Sequence, residues 1–283
     1  MSQDDQSERV AQASPGVVVD GRTPIQSDRQ NYIRELVHRE GSVTVDHLVN
    51  VLNVSRMTVH RDLDALESEH VLRKVRGGAT ATRSSLFESD WPFRSTSATV
   101  AKKAIGRVAA ERFVEGGMAV LLDESTTALA ALQQAEVAEP LTVITNSYPA
   151  VSYVTTQTSH HLIGLGGDYI PRYQAFLGMV CEQAIRSLYA DVLLASCSAI
   201  RGLGIFHQDQ QIVGAKRAML AAAPTRVLLA DSTKINVGAI YHLGKITEFT
   251  HFVTDEQIDS SVASRIEDNG VEVIVASLPA AVD

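Results

Sequence analysis

Apolar positions in residues 23–83 recur at helical spacing and predict three short helices. The three groups are Ile33, Leu36 and Val37; Val45, Leu48, Val49 and Leu52; and Val59, Leu63 and Leu66. Gly41 is placed to end the first helix, whereas Thr44 and Ser55 are N-cap candidates for the second and third helices. We therefore expect a compact module in which three apolar faces share one core.

The third of these helices has an outward face that is polar and partly basic. At 100° per residue, Arg61 and Met57 lie opposite the apolar stripe, with Thr58 and His60 on its flanks. The segment 72–79 reads LRKVRGGA, and its glycines permit the tight turn of a β-hairpin wing. Residues 23–83 are therefore predicted to form a winged helix-turn-helix, whose third helix fits a DNA major groove.

Beyond a polar linker at 84–97, the pattern changes to short apolar strands that alternate with amphipathic helices. The predicted strands are Met118–Asp123, Leu141–Thr145, His161–Leu165, Asp191–Ala195, Arg226–Asp231, Phe252–Thr254 and Val271–Val275. The predicted helices include Ala101–Val114, Thr126–Ala138, Met179–Leu188, Val213–Ala222 and Ser260–Asp268. This alternation predicts an α/β domain at 98–283 with a mainly parallel sheet.

Composition narrows the class of protein. The chain has 283 residues, which is enough for two domains, and 45% of them are hydrophobic, as in globular proteins. No apolar run approaches the roughly 18 residues of a membrane span, and residues 1–22 are a polar stretch without a signal sequence that we expect to be disordered. Cys181 and Cys197 cannot build a disulfide framework, which favours the cytoplasm and ordinary buried thiols over a catalytic nucleophile.

The net charge of −8 is unevenly distributed along the chain. Residues 71–83 carry Arg73, Lys74, Arg76 and Arg83 and no acidic residue, whereas the acidic surplus lies in the tail and in the C-terminal two thirds. A local basic surface of this kind is typical of a module that binds DNA phosphates. The rest of the chain is not expected to contact DNA.

The predicted DNA contacts follow from the third helix and the wing. Arg56 and Arg61 are suited to guanine or phosphate, Thr58 to either, and Ser55 to a phosphate at the helix N-terminus. The predicted set is Ser55, Arg56, Thr58, His60, Arg61, Arg73, Lys74, Arg76, Gly77 and Gly78. The alternative is a helical bundle with ordinary surface charges, which the acid-free basic run disfavours.

Polar clusters follow four of the predicted strands in the C-terminal domain. Because the carboxyl ends of parallel strands share one sheet edge, we expect a ligand crevice there that is suited to a phosphorylated polyol. The predicted ligand-binding residues are Asp123, Glu124, Ser125, Thr126, Thr127, Thr145, Asn146, Gly166, Gly167, Asp231 and Lys234. No metal site and no cofactor is predicted. For each single cluster, the alternative is a helix cap or a turn.

Residues 54–63 read V-S-R-M-T-V-H-R-D-L, and residues 77–79 read G-G-A. On these residues rests a resemblance to the DeoR family of bacterial regulators, in which the helix usually reads V-S-x-x-T-[IV]-R-R-D-L and the wing ends in G-G-A. It continues in Asp123–Thr127, Thr145-Asn146, Gly166-Gly167, Lys216–Met219 and Asp231–Lys234, and covers the chain from about residue 24 to its end. His60 stands where an arginine is usual, and Ser125 stands where the D-x-G-T-T loop normally has glycine.

The resemblance implies a fold and a function. It implies a sensor domain similar to ribose-5-phosphate isomerase, and a homo-oligomer, dimer or tetramer, that binds an operator in double-stranded DNA. We therefore predict a cytoplasmic transcriptional regulator, a repressor of carbohydrate metabolism genes, that responds to a phosphorylated sugar or polyol. It is not expected to be an enzyme or to bind membranes.

Two alternatives differ from this prediction in class. A sugar-phosphate isomerase that carries a DNA-binding module would use Glu124 as base and Lys234 as electrostatic support. No further acid–base pair is evident in the sequence, so binding without turnover is favoured. An architectural DNA-binding protein without a ligand would leave the polar strand-end clusters unexplained.

Overall fold

The computed structural model describes residues 25–40, 42–68, 71–81 and 91–279. The chain divides into two compact units, residues 1–83 and residues 84–283. The predicted tail and the first part of the predicted linker lie outside the described residues. No helix in the described residues is long and apolar enough to cross a bilayer.

The N-terminal unit is a winged helix-turn-helix. Its elements are α1 (Gln26–Glu40), β1 (Ser42–Thr44), α2 (Val45–Leu52), α3 (Arg56–Ser68), β2 (Leu72–Val75) and β3 (Gly78–Ala81). The strands form an antiparallel sheet in the order β1-β3-β2. All the apolar residues predicted to build the core are buried except Val49, which is partly buried and packs against it. The short strand β1 is an addition to the predicted elements.

Side-chain caps determine where α2 and α3 begin. The Thr44 hydroxyl accepts the His47 N–H at 3.2 Å, and the Ser55 hydroxyl accepts the Thr58 N–H at 3.1 Å. Between the helices, Asn53 adopts a left-handed conformation with φ of 50°, which ends α2 and turns the chain toward α3. Both predicted N-caps are therefore confirmed.

The C-terminal unit is built on a seven-stranded parallel sheet. Its helices are α4 (Trp91–Thr96), α5 (Thr99–Phe113), α6 (Thr126–Gln134), α7 (Tyr148–Gln157), α8 (Met179–Arg186), α9 (Gln210–Ala221) and α10 (Ser260–Glu267). The strands of the main sheet are β4 (Ala119–Leu122), β5 (Thr142–Thr145), β6 (His161–Gly164), β9 (Val192–Ala195), β12 (Thr225–Leu229), β14 (His251–Asp255) and β15 (Glu272–Ala276). Their order is β15-β14-β12-β9-β4-β5-β6, and every pair is parallel. The predicted α/β fold class is confirmed.

The strand order places a topological switch point at the centre of the sheet. The chain proceeds outward from β4 through β5 to β6 and then returns to β9 on the other side of β4. Connections on the two sides therefore diverge between β4 and β9, and this leaves a crevice at the carboxyl ends of these two strands. The crevice is the place in this architecture where a ligand is expected.

Two smaller sheets and one short helix complete the unit. The additional strands are β7 (Asp168–Ile170), β8 (Ala175–Leu177), β10 (Ala199–Arg201), β11 (Gly204–His207) and β13 (Tyr241–Lys245). The helix α4 lies within the segment predicted as linker, and the Trp91 N–H donates to the Arg172 carbonyl at 2.9 Å. The second half of that segment is therefore ordered as part of the C-terminal unit.

Candidate functional site

A polar pocket lies at the carboxyl ends of β4 and β9, next to the N-terminus of α6. It is lined by Arg94, Lys102, Glu124, Ser125, Thr126, Thr127, Ser196, Cys197, Ser198, His207, Lys216 and Lys234. Its empty volume is about 370 Å³, open solvent included, and the space between the side chains is narrow. Four of the lining residues are lysine or arginine and one is acidic, so the pocket is suited to an anion.

The sequence of the β4–α6 connection produces one wall of this pocket. The Ser125 hydroxyl accepts the Ala128 N–H at 3.0 Å and caps α6, so serine takes the cap position in the loop that departs from the family pattern. The φ of Ser125 is −79°, a conformation that does not require glycine. The first N–H groups of α6, those of Thr126 and Thr127, have no acceptor within the helix and favour a negatively charged ligand.

A buried cluster of charges lies beside the pocket. Lys216 is 2% exposed; its ammonium contacts the Asp123 carboxylate and lies 3.0 Å from Glu124 Oε1. Burial lowers the pKa of Lys216, but the two carboxylates raise it by more, so its pKa lies above the ordinary value. The ammonium is therefore charged and fixed between two acids.

Asp123 also connects the two strands at the switch point. Its carboxylate accepts the Ser125 N–H at 2.9 Å and the Ser196 N–H at 2.7 Å, the latter from the loop that follows β9. With Lys216 as a third partner, this carboxylate joins β4, β9 and α9. Asp123 is thus committed to the protein, and it is not among the residues that line the pocket.

His207 and Cys197, which both line the pocket, are uncharged. Burial, followed by the charges of Lys216, Arg94 and Lys234, holds the pKa of His207 well below its ordinary value, so the imidazole is neutral. Burial raises the pKa of Cys197 to about 12 and that of Cys181 to about 11. Both thiols are buried and protonated near neutral pH, as predicted for ordinary cysteines.

The pocket brings together about half of the residues predicted to bind a ligand. Glu124, Ser125, Thr126, Thr127 and Lys234 line it. Glu124 is 1% exposed, and its Oε2 atom has no hydrogen-bond partner among the described residues. An unsatisfied buried carboxylate oxygen is expected to accept a hydrogen bond from a ligand.

The other predicted ligand residues do not line the pocket, and the side chains of Thr145, Asn146 and Asp231 make local contacts instead. The Thr145 hydroxyl accepts the Ser147 N–H at 3.0 Å, and the Asn146 side-chain amide donates to the Phe176 carbonyl at 3.1 Å. The Asp231 carboxylate accepts the Thr233 N–H at 3.1 Å and caps a single turn of 3-10 helix, Ser232–Lys234. A Cβ on Gly167, with φ of 142°, would lie 2.4 Å from the Leu177 carbonyl oxygen, whereas one on neighbouring Gly166 would meet no atom within 4 Å.

Several residues of the pocket were not predicted from the sequence. They are Arg94, Lys102, Ser196, Cys197, Ser198, His207 and Lys216. Lys216 lies in a quoted family motif and shares a helix face with Ile212, Ala215 and Met219, which are all buried. A lysine on an apolar helix face was thus a detectable signal for a buried charge, because such a residue is seldom buried without a partner.

The residues predicted to contact DNA lie on α3 and the wing. Arg56, His60 and Arg61 are exposed, and Thr58 is partly exposed. Exposed Arg56 pairs with exposed Asp46, a contact that solvent screens, and Lys74 pairs with Asp64. No acidic side chain among the described residues pairs with Arg61, Arg73 or Arg76.

The two wing glycines have different roles in the structure. Gly77 adopts φ of 81° in the turn of the hairpin. A Cβ on Gly78 would lie 2.1 Å from the Val43 carbonyl oxygen, so this glycine permits β3 to approach β1. The packing of the wing therefore explains why a glycine is present at position 78. Ser55 caps α3, as described above, and its hydroxyl also lies 2.9 Å from the Thr58 hydroxyl.

No group of three or more His, Cys, Asp and Glu side chains within the described part of the chain is arranged to hold a metal ion. The carboxylates of Asp123 and Glu124 both contact the Lys216 ammonium. The pocket presents cationic and hydroxyl groups together with one carboxylate, that of Glu124.

Each of the two units matches a known family of protein domains. The DeoR-like helix-turn-helix domain matches residues 29–85, and the DeoR C terminal sensor domain matches residues 97–256. An HTH-type transcriptional regulator of Escherichia coli, YgbI, is 30% identical over 249 residues, which are 88% of this chain and 97% of that protein. The HTH-type transcriptional repressor GlcR of Bacillus subtilis is 27% identical over 252 residues, 88% and 96% of the two chains.

Among solved structures, ribose 5-phosphate isomerase from Plasmodium falciparum is 12% identical, covers 48% of this chain and 52% of its own, and has a TM-score of 0.34. A similarity of this size carries no argument about function. The family match does identify the family, because the region that matches the DeoR C terminal sensor domain is more than half of the chain. With the helix-turn-helix matched as well, this chain belongs to the DeoR family of transcriptional regulators.

Proposed function

We propose that this chain represses carbohydrate metabolism genes by binding operator DNA as a homo-oligomer, and that a phosphorylated sugar or polyol controls this binding from the C-terminal pocket. The observation that carries the proposal is the cation-lined pocket beside the N-terminus of α6. It offers helix N–H groups and lysine or arginine to a phosphate, and Glu124 to a hydroxyl.

The N-terminal unit supplies the DNA-binding surface in this proposal. The exposed face of α3 enters the major groove, where Arg61 and Thr58 reach base edges, and Arg73 and Arg76 of the wing contact the backbone or the minor groove. Two such units are needed to contact two half-sites about one DNA turn apart. His60 is exposed on this face, at the position where an arginine is usual in the family.

Binding without turnover is proposed for the pocket. Isomerisation requires a base on the carbon-bound proton together with stabilisation of the enediolate. Glu124 is the carboxylate in the pocket lining, and its Oε1 atom already lies 3.0 Å from the Lys216 ammonium. The enzymatic alternative holds if the protein forms an isomerised product from phosphorylated sugars and Glu124→Gln abolishes this activity.

The effector controls DNA binding only if it has different affinities for two conformations of the protein. Because the space between the lining side chains is narrow, entry of a sugar phosphate displaces groups that line the pocket, including Arg94 on α4. We propose that this displacement changes the direction of the linker and misplaces the paired helix-turn-helix units. The position of α4 within the predicted linker segment, 84–97, supports this route.

The proposal is tested by measuring the affinity of the full chain for DNA fragments upstream of its own operon. The titration is repeated with phosphorylated sugars, polyols and inositols, and with their unphosphorylated forms. We expect one or more phosphorylated compounds to release the DNA, and the unphosphorylated forms to have no effect. The proposal is contradicted if the chain binds no fragment at low ionic strength. It is also contradicted if no phosphorylated compound changes the affinity for DNA.

The loss of Arg61 or Arg76 is expected to weaken operator binding. If the guanidinium contacts phosphate, its removal lowers the slope of log K against log salt by about one for each subunit bound. The slope is measured by fluorescence anisotropy of a labelled operator in Arg61→Ala and Arg76→Ala. Arg265→Ala, which removes an exposed arginine from α10, is the control and is expected to leave the slope unchanged. Equal slopes in all three variants and the wild type would refute the assignment.

Replacement of Lys234 by methionine is expected to impair the effector response and to spare DNA binding. Lys234 lines the pocket, and no acidic partner for it is found in the described residues. Loss of one charge-assisted hydrogen bond raises the effector concentration needed for release by about tenfold or more. Lys103→Met changes an exposed lysine of α5 and is the control. A Lys234→Met protein that releases DNA at wild-type effector concentrations contradicts the assignment.

A further inference from the structure

Arg94 is a pocket residue on α4, the first described helix of the C-terminal unit. Its Nε and Nη2 atoms are buried and have no hydrogen-bond partner among the described residues. The centre of the guanidinium lies 5.9 Å from the centroid of the Tyr173 ring, which holds the group on one side. A guanidinium whose Nε and Nη2 donors are buried and unused is expected to have a ligand that accepts them.

The other cations of the pocket help to identify that ligand. The Lys216 ammonium is engaged by Asp123 and Glu124, and that of Lys102 donates to the carbonyls of Arg94 and Ser97. Arg94 and Lys234 have no acidic partner among the described residues. An incoming anion therefore meets two side-chain cations that the protein has not neutralised.

The N-terminus of α6 lies beside the backbone of Arg94. The Thr126 hydroxyl donates to the Arg94 carbonyl at 3.3 Å, and Ser125, Thr126 and Thr127 line the same pocket as the Arg94 side chain. Helix N–H groups and a planar guanidinium together match the oxygen atoms of a phosphate group. Buried Glu124, with its free Oε2 atom, is a poor neighbour for phosphate and a good acceptor for a hydroxyl.

We infer that Arg94 binds the phosphate group of the effector together with the N-terminus of α6, while Glu124 accepts a hydroxyl group of the same molecule. This inference rests on the proposed function and adds the orientation of the effector in the pocket. It also assigns phosphate recognition to α4, the helix that follows the connection to the N-terminal unit. The anion therefore binds to α4, which belongs to the segment that joins the two units in sequence.

We expect an anion at Arg94 to act on α4 through the contacts that hold this helix. The helix begins at Trp91, whose N–H donates to the Arg172 carbonyl, and the Arg94 carbonyl is held by the Lys102 ammonium and the Thr126 hydroxyl. Lys102 and Thr126 both line the pocket. A phosphate placed there competes for the same donors that hold α4 to α5 and α6.

The test compares Arg94→Met with Arg172→Met in the full chain. Both arginines lie near the Tyr173 ring, at 5.9 and 5.6 Å from its centroid, but Arg172 is exposed and does not line the pocket. Inorganic phosphate is titrated into each protein by calorimetry. We expect Arg94→Met to lose about 10- to 100-fold in phosphate affinity, and Arg172→Met to retain wild-type affinity. Arg94→Lys, which keeps the charge without the planar donor set, is expected to be intermediate and serves if Arg94→Met does not fold.

The operator-release assay separates this inference from the proposed function. Release of DNA from Arg94→Met at the same phosphorylated-sugar concentrations as from the wild type, or unaltered phosphate affinity in this variant, overturns the inference and leaves the proposed function standing. Phosphate binding that depends on Arg94, with no phosphorylated sugar affecting operator binding, supports the phosphate site and overturns the proposed function. Loss of phosphate affinity in Arg172→Met as well as in Arg94→Met would show that the effect comes from the packing around Tyr173, and this also overturns the inference.

Discussion

Replacing Lys216 with methionine is expected to lower the free energy of unfolding of the C-terminal unit by about 3–5 kcal/mol. The change removes the shared cation of Asp123 and Glu124 and leaves two carboxylates buried at 1% exposure. Methionine retains most of the volume, so the cost arises from the uncompensated charges rather than from a cavity. Urea unfolding measured by the fluorescence of the single tryptophan, Trp91 in α4, reports on this unit.

Lys234→Met provides the control for this measurement. Both lysines line the pocket, but Lys234 is partly exposed and has no carboxylate partner within the described part of the chain. Its loss is expected to change the free energy of unfolding by less than about 1 kcal/mol. A Lys216→Met protein with the same urea midpoint as Lys234→Met would show that the buried carboxylates do not depend on the ammonium.

The helix-turn-helix could be predicted in detail because its determinants are local. Helical spacing of apolar residues identified three helices, and the caps Thr44 and Ser55 act within three residues of their own positions. The wing was predicted from Gly77 and Gly78, which its turn and its strand pairing require. The strand β1 escaped prediction because three residues are too few to establish an alternating pattern.

The pocket could be predicted only in part because it depends on strand order. The clusters after predicted strands are visible in the sequence, but the sequence does not show that β4 and β9 are neighbours. Thr145 is the last residue of β5 and Asn146 follows it, on the far side of β4 from the switch point. Their side chains bond to the Ser147 N–H and the Phe176 carbonyl there. Asp123 and Lys216 are 93 residues apart, and their contact follows only from the tertiary fold.

Arg94 illustrates a second reason why residues of the pocket were not predicted. The helix α4 has six residues, fewer than the two turns needed to show a helical period, and it lies in a segment whose polar composition indicates a linker. Its order comes from tertiary contacts, which are the bond from Trp91 to Arg172 and those from Lys102 and Thr126 to the Arg94 carbonyl. A short helix held by distant residues leaves no periodic signal in its own sequence.

Asp62, in the family motif on α3, forms a second buried ion pair with Arg29 of α1, and removal of this pair is the other large effect that we expect. Asp62 is 1% exposed, and its carboxylate receives two hydrogen bonds from Arg29 of α1, at 2.7 Å from Nε and 3.1 Å from Nη2. This paired geometry fixes α1 against α3, the helix that carries the proposed base contacts. Asp62 is thus a positioning residue for α3, whereas Arg61 beside it is exposed.

Asp62→Ala is expected to destabilise the N-terminal unit by about 3 kcal/mol, because it leaves the Arg29 guanidinium largely buried without its carboxylate. Operator affinity falls with the folded fraction of this unit, while phosphate binding by the C-terminal pocket is retained. Hydrogen exchange of α1 and α3, measured beside operator binding, distinguishes this from loss of a DNA contact. Asp64→Ala, two residues away on the same helix, removes an exposed partner of Lys74 and is expected to change stability by less than about 1 kcal/mol. Equal protection of α1 in the two variants would show that the Arg29–Asp62 pair does not hold these helices together.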